Sequence, residues 1–134
     1  MPVDLEIVSP DKLLLSRPVE MVVIPAYEGE MGILPQHSPM IVLLRGGTVR
    51  LYENNQVTET MFVSGGFAEI TGDRVTVLAD ETFTIPELSR AEGERRLAAA
   101  EAAAAAADKS DPAAIDLSLD RIQSARAMIE AATA

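Results

Sequence analysis

The sequence predicts an α+β protein, with a sandwich or flattened barrel of short strands followed by a two-helix hairpin. Three observations predict it. The apolar period changes from 2 to 3.6 between the two parts of the chain. Residues 1–85 are rich in Val, Ile, Leu, Gly and Pro, and turn residues divide them into short bursts. Residues 86–134 are rich in alanine and contain one glycine, Gly93. The chain is therefore divided into a β domain at 1–85 and a helical hairpin at 86–134.

The elements follow in order. "VDLEIV" sets Val3, Leu5 and Ile7 on one face and Asp4 and Glu6 on the other, the alternation of a half-buried strand. "RLYENNQVTETMFV" predicts a hairpin with Asn54 and Asn55 at its turn, because Asn tolerates positive φ. "FAEITGDRVTVLA" predicts the next, with Gly72 in its turn. The glycine pairs of "RGGTVR" and "VSGGFAEI" lack the Gly-Lys-Ser/Thr of a phosphate-binding loop, and are expected to be bulges or tight turns. Many short strands with frequent turns suggest a sandwich or flattened barrel. The order of the strands is not readable from these patterns.

The helical part opens with Ser89 followed by Glu92, the spacing of a capping box. "LAAAEAAAAAA" is then helical by intrinsic propensity. "DKSDP" interrupts it, and Asp111 and Pro112 suit the N-cap and first position of a second helix. That helix is expected to carry Ile115, Leu119, Ile122 and Ile129 near one face. The two helices fold back as an antiparallel pair. Leu97 is the one large apolar residue of the first helix, so little area is buried and the hairpin is expected to detach readily. Arg90, Arg95, Arg96, Arg121 and Arg126 read as solvated helix faces, with pairs such as Glu92–Arg96.

Composition narrows the function. A chain of 134 residues is one domain, or one domain with a small appendage. Hydrophobic residues make up 48% and aromatics 4%, so aliphatic side chains fill the core. A net charge of −10 argues against nucleic acid and anionic lipid as partners. The absence of cysteine excludes disulfides and thiolate metal sites. "MPVDLEIVSP" is acidic where a signal peptide is basic, and no apolar run approaches the ~20 residues of a spanning helix. A soluble cytoplasmic protein is expected.

The stretch that invites a functional reading is "YEGEMGILPQHSP", residues 27–39, which holds the single histidine of the chain. His37 with Glu28 and Glu30 could form a base and its orienting acid, or part of a metal site. No Ser or Cys nucleophile motif and no second histidine accompany them, so a surface loop is the favoured reading. Pro35 and Pro39 stiffen such a loop into a good docking surface. Residues alone therefore point to an interaction module with no catalytic residue, no metal and no cofactor.

The order of "LEIVSPDKLLLS", "EGEMGILPQHSP", "GGTVRL", "VSGGFAEI" and "VTVLADE", followed by two helices, resembles the epsilon subunit of the bacterial F-type ATP synthase. The resemblance runs from about residue 3 to about residue 130. It implies a flattened β sandwich of about ten strands with a C-terminal helical hairpin. It further implies a non-catalytic subunit of the central rotor (stalk) in a proton-translocating ATP synthase. Such a subunit sits on the c-subunit ring at the foot of the gamma subunit, and couples ring rotation to ATP synthesis in the alpha–beta head. Its place would be peripheral, at the cytoplasmic face of the bacterial inner membrane. Glu28, Gly29, Glu30, Met31 and His37 would then face the c ring. The helices of many members extend, contact the alpha and beta subunits, where beta presents an acidic segment, and restrain ATP hydrolysis. Some members bind ATP in the hairpin through Ile-Asp-x-x-Arg-Ala and a further Arg. Ile115, Asp116 and Arg126 match that pattern, but Leu119 and Asp120 stand where Arg and Ala belong. Loss of a guanidinium and gain of a carboxylate beside a triphosphate weaken binding. ATP binding is thus expected to be poor, and an ATP-sensing module is the alternative to the rotor reading.

Overall fold

The computed structural model describes residues 2–133. Ten strands form one curled sheet: β1 (Val3–Val8), β2 (Leu13–Val19), β3 (Met21–Ala26), β4 (Gly29–Ile33), β5 (Met40–Leu44), β6 (Gly47–Glu53), β7 (Gln56–Val63), β8 (Gly66–Ile70), β9 (Arg74–Ala79) and β10 (Thr82–Thr84). Their order is β10-β7-β6-β3-β5-β8-β9-β1-β2, with β4 paired to β3 off this path. The sheet folds on itself where β3 hands over to β5, since these two share a single register pair, Ala26↔Leu44. The layers on either side enclose one aliphatic core of Val3, Leu5, Ile7, Val22, Ile24, Ile33, Val49, Leu51, Val75 and Val77 among others. An ion pair between Arg17 of β2 and Glu59 of β7 bridges the layers at the surface.

Turn chemistry explains the register. Asn54 and Asn55 adopt φ of 52° and 60°, the left-handed pair that a tight two-residue hairpin needs. The two glycine pairs differ in their reason. Gly65 and Gly66 have φ of 140° and 130°, so a backbone conformation demands them. Gly46 is required by a close approach instead, as a Cβ there would lie 2.5 Å from the Cα of Ser124. The chain bends at Gly46 between β5 and β6, as expected for that pair, and a helix also packs on it.

After a 3₁₀ turn at Ile85–Glu87, helix α1 spans Arg90–Ala106 and α2 spans Pro112–Thr133. Ser89 caps α1 by accepting the Glu92 N–H at 3.2 Å. Asp111 accepts the Ala113 N–H at 3.1 Å, and its carbonyl accepts from Ile115. The helices run antiparallel, with Gly93 near the start of α1 against Ile129 near the end of α2. A Cβ on Gly93 would meet Ile129 Cγ1 at 2.7 Å, so this glycine sets the helix spacing.

Of the four residues that the periodicity picked for one face of α2, Ile115, Ile122 and Ile129 are half-buried, and Leu119 departs from that face. Ser118, Ala125 and Met128 are buried, while Leu119 is 58% exposed and Leu117 51% exposed. The short side chains of α1 cause this. Small residues on both helices let the backbones approach, and the bulkier Leu119 is turned outward. Arg96 is a second correction to the solvated-face expectation. Its main partner is Glu81, just before β10, at 2.8 and 3.2 Å, whereas Glu92 lies 3.9 Å away. Its guanidinium also lies 5.6 Å from the Phe83 ring centroid, a cation–π contact.

Candidate docking surface

The stretch 27–39 is not one loop. Tyr27 and Glu28 turn the chain, and β4 then pairs with β3 from Ala26↔Gly29 to Val22↔Ile33. Gly29 closes the turn with a φ of 138°, in open space where a Cβ would meet nothing within 4 Å. Its backbone conformation alone calls for glycine. Gly29, Glu30 and Met31 therefore stand on a strand, a correction to the loop expectation. Strand alternation separates their side chains. Met31 packs against the aliphatic core. Glu30 points outward and forms an ion pair with Arg50 at 2.6 Å.

The chain then passes through Leu34–Pro39 before β5. Gln36 takes a φ of 64° there. The His37 Nδ1 lies 2.9 Å from the Ser38 carbonyl, a local contact with its own neighbour in the chain. Among the described residues no group of three or more His, Asp or Glu side chains is placed to hold a metal.

Glu28, Gly29, Glu30 and Met31 come together along a groove of about 610 Å³ whose other wall is Met40–Leu43 of β5. His37 is not among the residues that line it. The β5 wall escaped the sequence reading. Ile41 is 71% and Leu43 64% exposed, and Leu43 pairs in register with Phe67 of β8, itself 40% exposed. A patch of large apolar side chains on the outer face of a sheet marks a contact surface. The signal was present in "MIVLL", five apolar residues running through a strand with only one face inside.

Tyr27, at the tip of the same β3–β4 hairpin, donates its hydroxyl to Asp120 of α2. This hydrogen bond, together with burial and the charges of Asp120 and Asp116, raises its pKa above that of a free phenol. The docking groove and the helical hairpin are thus joined by one side-chain bond.

A second cleft, of about 590 Å³, lies between the helices and the sheet edge. Its charged lining is Asp80, Glu81, Asp120, Arg96 and Arg121. Ile115, Asp116 and Arg126 do not line it. Asp116 and Arg126 are exposed and Ile115 is half-buried.

A curled ten-stranded sheet carrying a two-helix hairpin and an apolar outer patch defines a class. The family model of the ATP synthase delta/epsilon chain β-sandwich domain matches residues 2–85. The ATP synthase epsilon chain of Granulibacter bethesdensis is 63% identical over 128 residues, spanning 96% of this chain and 95% of that one. The epsilon chain of Gluconacetobacter diazotrophicus is 47% identical over 132 residues, spanning 98% and 94%. This chain belongs to the ATP synthase epsilon chain family. Among solved structures, a chain of the Euglena gracilis mitochondrial ATP synthase, in its OSCP/F1/c-ring assembly, matches with a TM-score of 0.73 at 24% identity, covering 99% of this chain and 82% of that one. A chain from the central stalk and c-ring of the Tetrahymena thermophila mitochondrial ATP synthase matches with a TM-score of 0.71 at 14% identity, covering 98% and 97%. These last two likenesses are of fold. No helix among the described residues is long and apolar enough to cross a membrane.

Proposed function

We propose that the chain is a non-catalytic subunit of the central rotor in a proton-translocating ATP synthase, joining the gamma subunit to the c ring. It would lie at the cytoplasmic face of the bacterial inner membrane, peripheral to the bilayer. The β domain at 1–85 makes these contacts, and the hairpin at 86–134 regulates. The observation that carries this reading is the exposed apolar wall of Ile41, Leu43 and Phe67 beside the turn that carries Glu28. Apolar surface of that kind suits a permanent protein contact. The adjoining carboxylates of Glu28 and Glu30, with His37 in the next loop, suit the polar loops of the c ring. Rigid placement of Glu30 and Met31 on a strand lowers the entropy lost on docking. The helices are available to the alpha and beta subunits when they leave the sheet.

The test is co-purification of the chain with tagged gamma subunit, followed by cross-linking from positions 28, 30 and 37 to the c ring. Co-purification and cross-links are expected. A chain that stays behind refutes the rotor role.

The nucleotide-sensing alternative has less support. Three carboxylates outnumber two guanidinium groups in the cleft between helices and sheet, and Glu81 already occupies Arg96. A triphosphate entering it meets net negative charge, so the residues present do not fit ATP. Equilibrium dialysis with ATP and Mg²⁺ separates the two readings, and saturable binding at low micromolar concentration would favour the sensor.

A further inference from the structure

Strand β5 is paired along one edge only. All five of its residues pair with β8, from Met40↔Ile70 to Leu44↔Gly66. On its other side β3 meets it at Ala26↔Leu44 alone. The Tyr27 N–H donates to the Leu43 carbonyl at 2.9 Å. Beyond that bond β3 has ended and the chain turns into β4. Backbone groups alternate sides along a strand. The N–H and C=O of Ile41 therefore face the same open side as those of Leu43, and no strand lies beside them. The groove runs along this edge, walled across from it by Gly29–Met31.

Natural edge strands are blunted by lysine, proline, inward charge or a bulge. "MIVLL" has none of these within it. An unblunted apolar edge calls for another strand to cover it. Its rim carries Glu28, and the chain as a whole carries −10. A second copy of the chain would bring like charge to like charge, so the complementary occupant is a basic one.

We propose that an extended segment of the gamma subunit adds to β5 as a further strand. It bonds to the Ile41 backbone and sets alternate apolar side chains against Tyr27 and Met40. This rests on the reading above that gamma is the partner. Main-chain bonds supply the affinity, and the groove supplies register.

Amide hydrogen exchange of the full chain, free and bound to gamma, tests it directly. The Ile41 amide is expected to exchange fast in the free chain and to slow at least ten-fold in the complex. Two substitutions sharpen the result. Ile41→Ala removes only side chain. Ile41→Pro also removes the outward N–H, and should weaken gamma binding a further ten-fold with a melting temperature like that of Ile41→Ala. Val42→Pro removes a donor to β8 instead, and should lower the melting temperature. An Ile41 amide that stays fast in a stable gamma complex overturns this proposal and leaves the partner reading standing. Equal binding by Ile41→Ala and Ile41→Pro does the same. Protection that depends on the concentration of the chain itself would assign the edge to a second copy. A wild-type chain that does not bind gamma overturns both readings.

Discussion

Gln123 and the backbone of Gly46 form a two-point hydrogen bond. The Gly46 N–H donates to Oε1 at 2.8 Å, and Nε2 donates to the Gly46 carbonyl at 2.7 Å. The side chain of α2 thereby replaces the strand neighbour that Gly46 lacks between β5 and β6. The hairpin is held to the sheet by this pair, by Arg96–Glu81 and by Tyr27–Asp120. None of the helical residues belongs to the aliphatic core cluster. These bonds are polar and specific in geometry, and neutral hydrogen bonds contribute about 0.5–1.5 kcal/mol each; Ala100, Ala125 and Met128 of the helices are buried as well.

Gln123→Ala leaves both Gly46 groups half-buried without their partners, at a cost of about 1–3 kcal/mol in docking. Gly46→Ala goes further, because its Cβ meets backbone at Ser124 Cα, 2.5 Å away. Both variants should free the hairpin for limited proteolysis while the β domain keeps its circular dichroism. A hairpin as resistant as wild type in Gly46→Ala would show that α2 does not sit on Gly46 in solution.

Gly93→Ala sets two effects against each other. Alanine favours a helix interior over glycine by about 1 kcal/mol. The new methyl would lie 2.7 Å from Ile129 Cγ1 and 3.2 Å from its backbone N, so α1 and α2 must separate. Overpacking of this kind costs about 1–3 kcal/mol. The expected net result is a lower unfolding midpoint for the hairpin, read by circular dichroism at the helical band. A raised midpoint would mean that the helices slide apart at no cost.

How much of this was legible in the sequence depends on the length scale of the interaction. Asn54–Asn55, Ser89 and Asp111–Pro112 act on neighbouring backbone, and the sequence places them where the structure has them. The order of strands was not legible, because pairing such as β3 with β5 depends on long-range closure. Gly46 and Gly93 read as ordinary glycines until the helix against each is known. Leu119 fitted a helical apolar stripe, but helix facing is set by what packs closest, and alanines outcompeted it. Glu28 and Glu30 stood out in the sequence as carboxylates near the single histidine, and their contact role rests on the family resemblance, whereas Ile41 and Leu43 gave no such signal, because an apolar strand does not reveal which face is covered.

The two carboxylates of the docking groove should separate in their effects. Glu28 has an exposed side chain on the turn. Glu30 is bonded to Arg50, so Glu30→Lys also sets like charges together across β3. Glu28→Lys should leave the melting temperature within the range of neutral surface changes, under about 0.5 kcal/mol, yet weaken coupling of proton pumping to ATP hydrolysis in the assembled complex. Glu30→Lys should weaken coupling and also lower the melting temperature, with up to about 1 kcal/mol lost from an exposed pair. His37→Ala should resemble Glu28→Lys. Unchanged coupling in all three would remove the c ring from this surface.

Tyr27 makes docking of the hairpin sensitive to alkali. Its folded pKa is raised, first by the hydrogen bond it donates to Asp120. A raised pKa means that the stabilisation is fully present below the unfolded value, about 10, and is lost as pH climbs through the folded value. Hairpin protection should therefore fall above about pH 10, and Tyr27→Phe should abolish that dependence while lowering protection at neutral pH. A pH profile identical in the two proteins would mean the phenol does not reach Asp120.

Removal of the hairpin tests regulation. The β core contains no helical residue, so a chain ending after Leu88 keeps its core and the Thr84–Glu87 turn. It should fold and still bind gamma. The family resemblance implies that an extended hairpin would restrain hydrolysis by gripping the head at an acidic segment of beta, which would call for basic residues on the helices. Most of those residues are already engaged within the chain: Arg90 with Glu94, Arg95 with Glu92, and Arg96 with Glu81. Along α2, Arg121 and Arg126 are outnumbered by Asp116, Asp120 and Glu130, so long-range attraction to an acidic partner is absent. Truncation should therefore raise hydrolysis by the assembled head no more than about three-fold, roughly 0.7 kcal/mol. A rise of many-fold would refute the charge argument. The exposed side chains of Leu117 and Leu119 would then be the groups that hold the head, and Leu119→Ser in the full-length chain should reproduce the release.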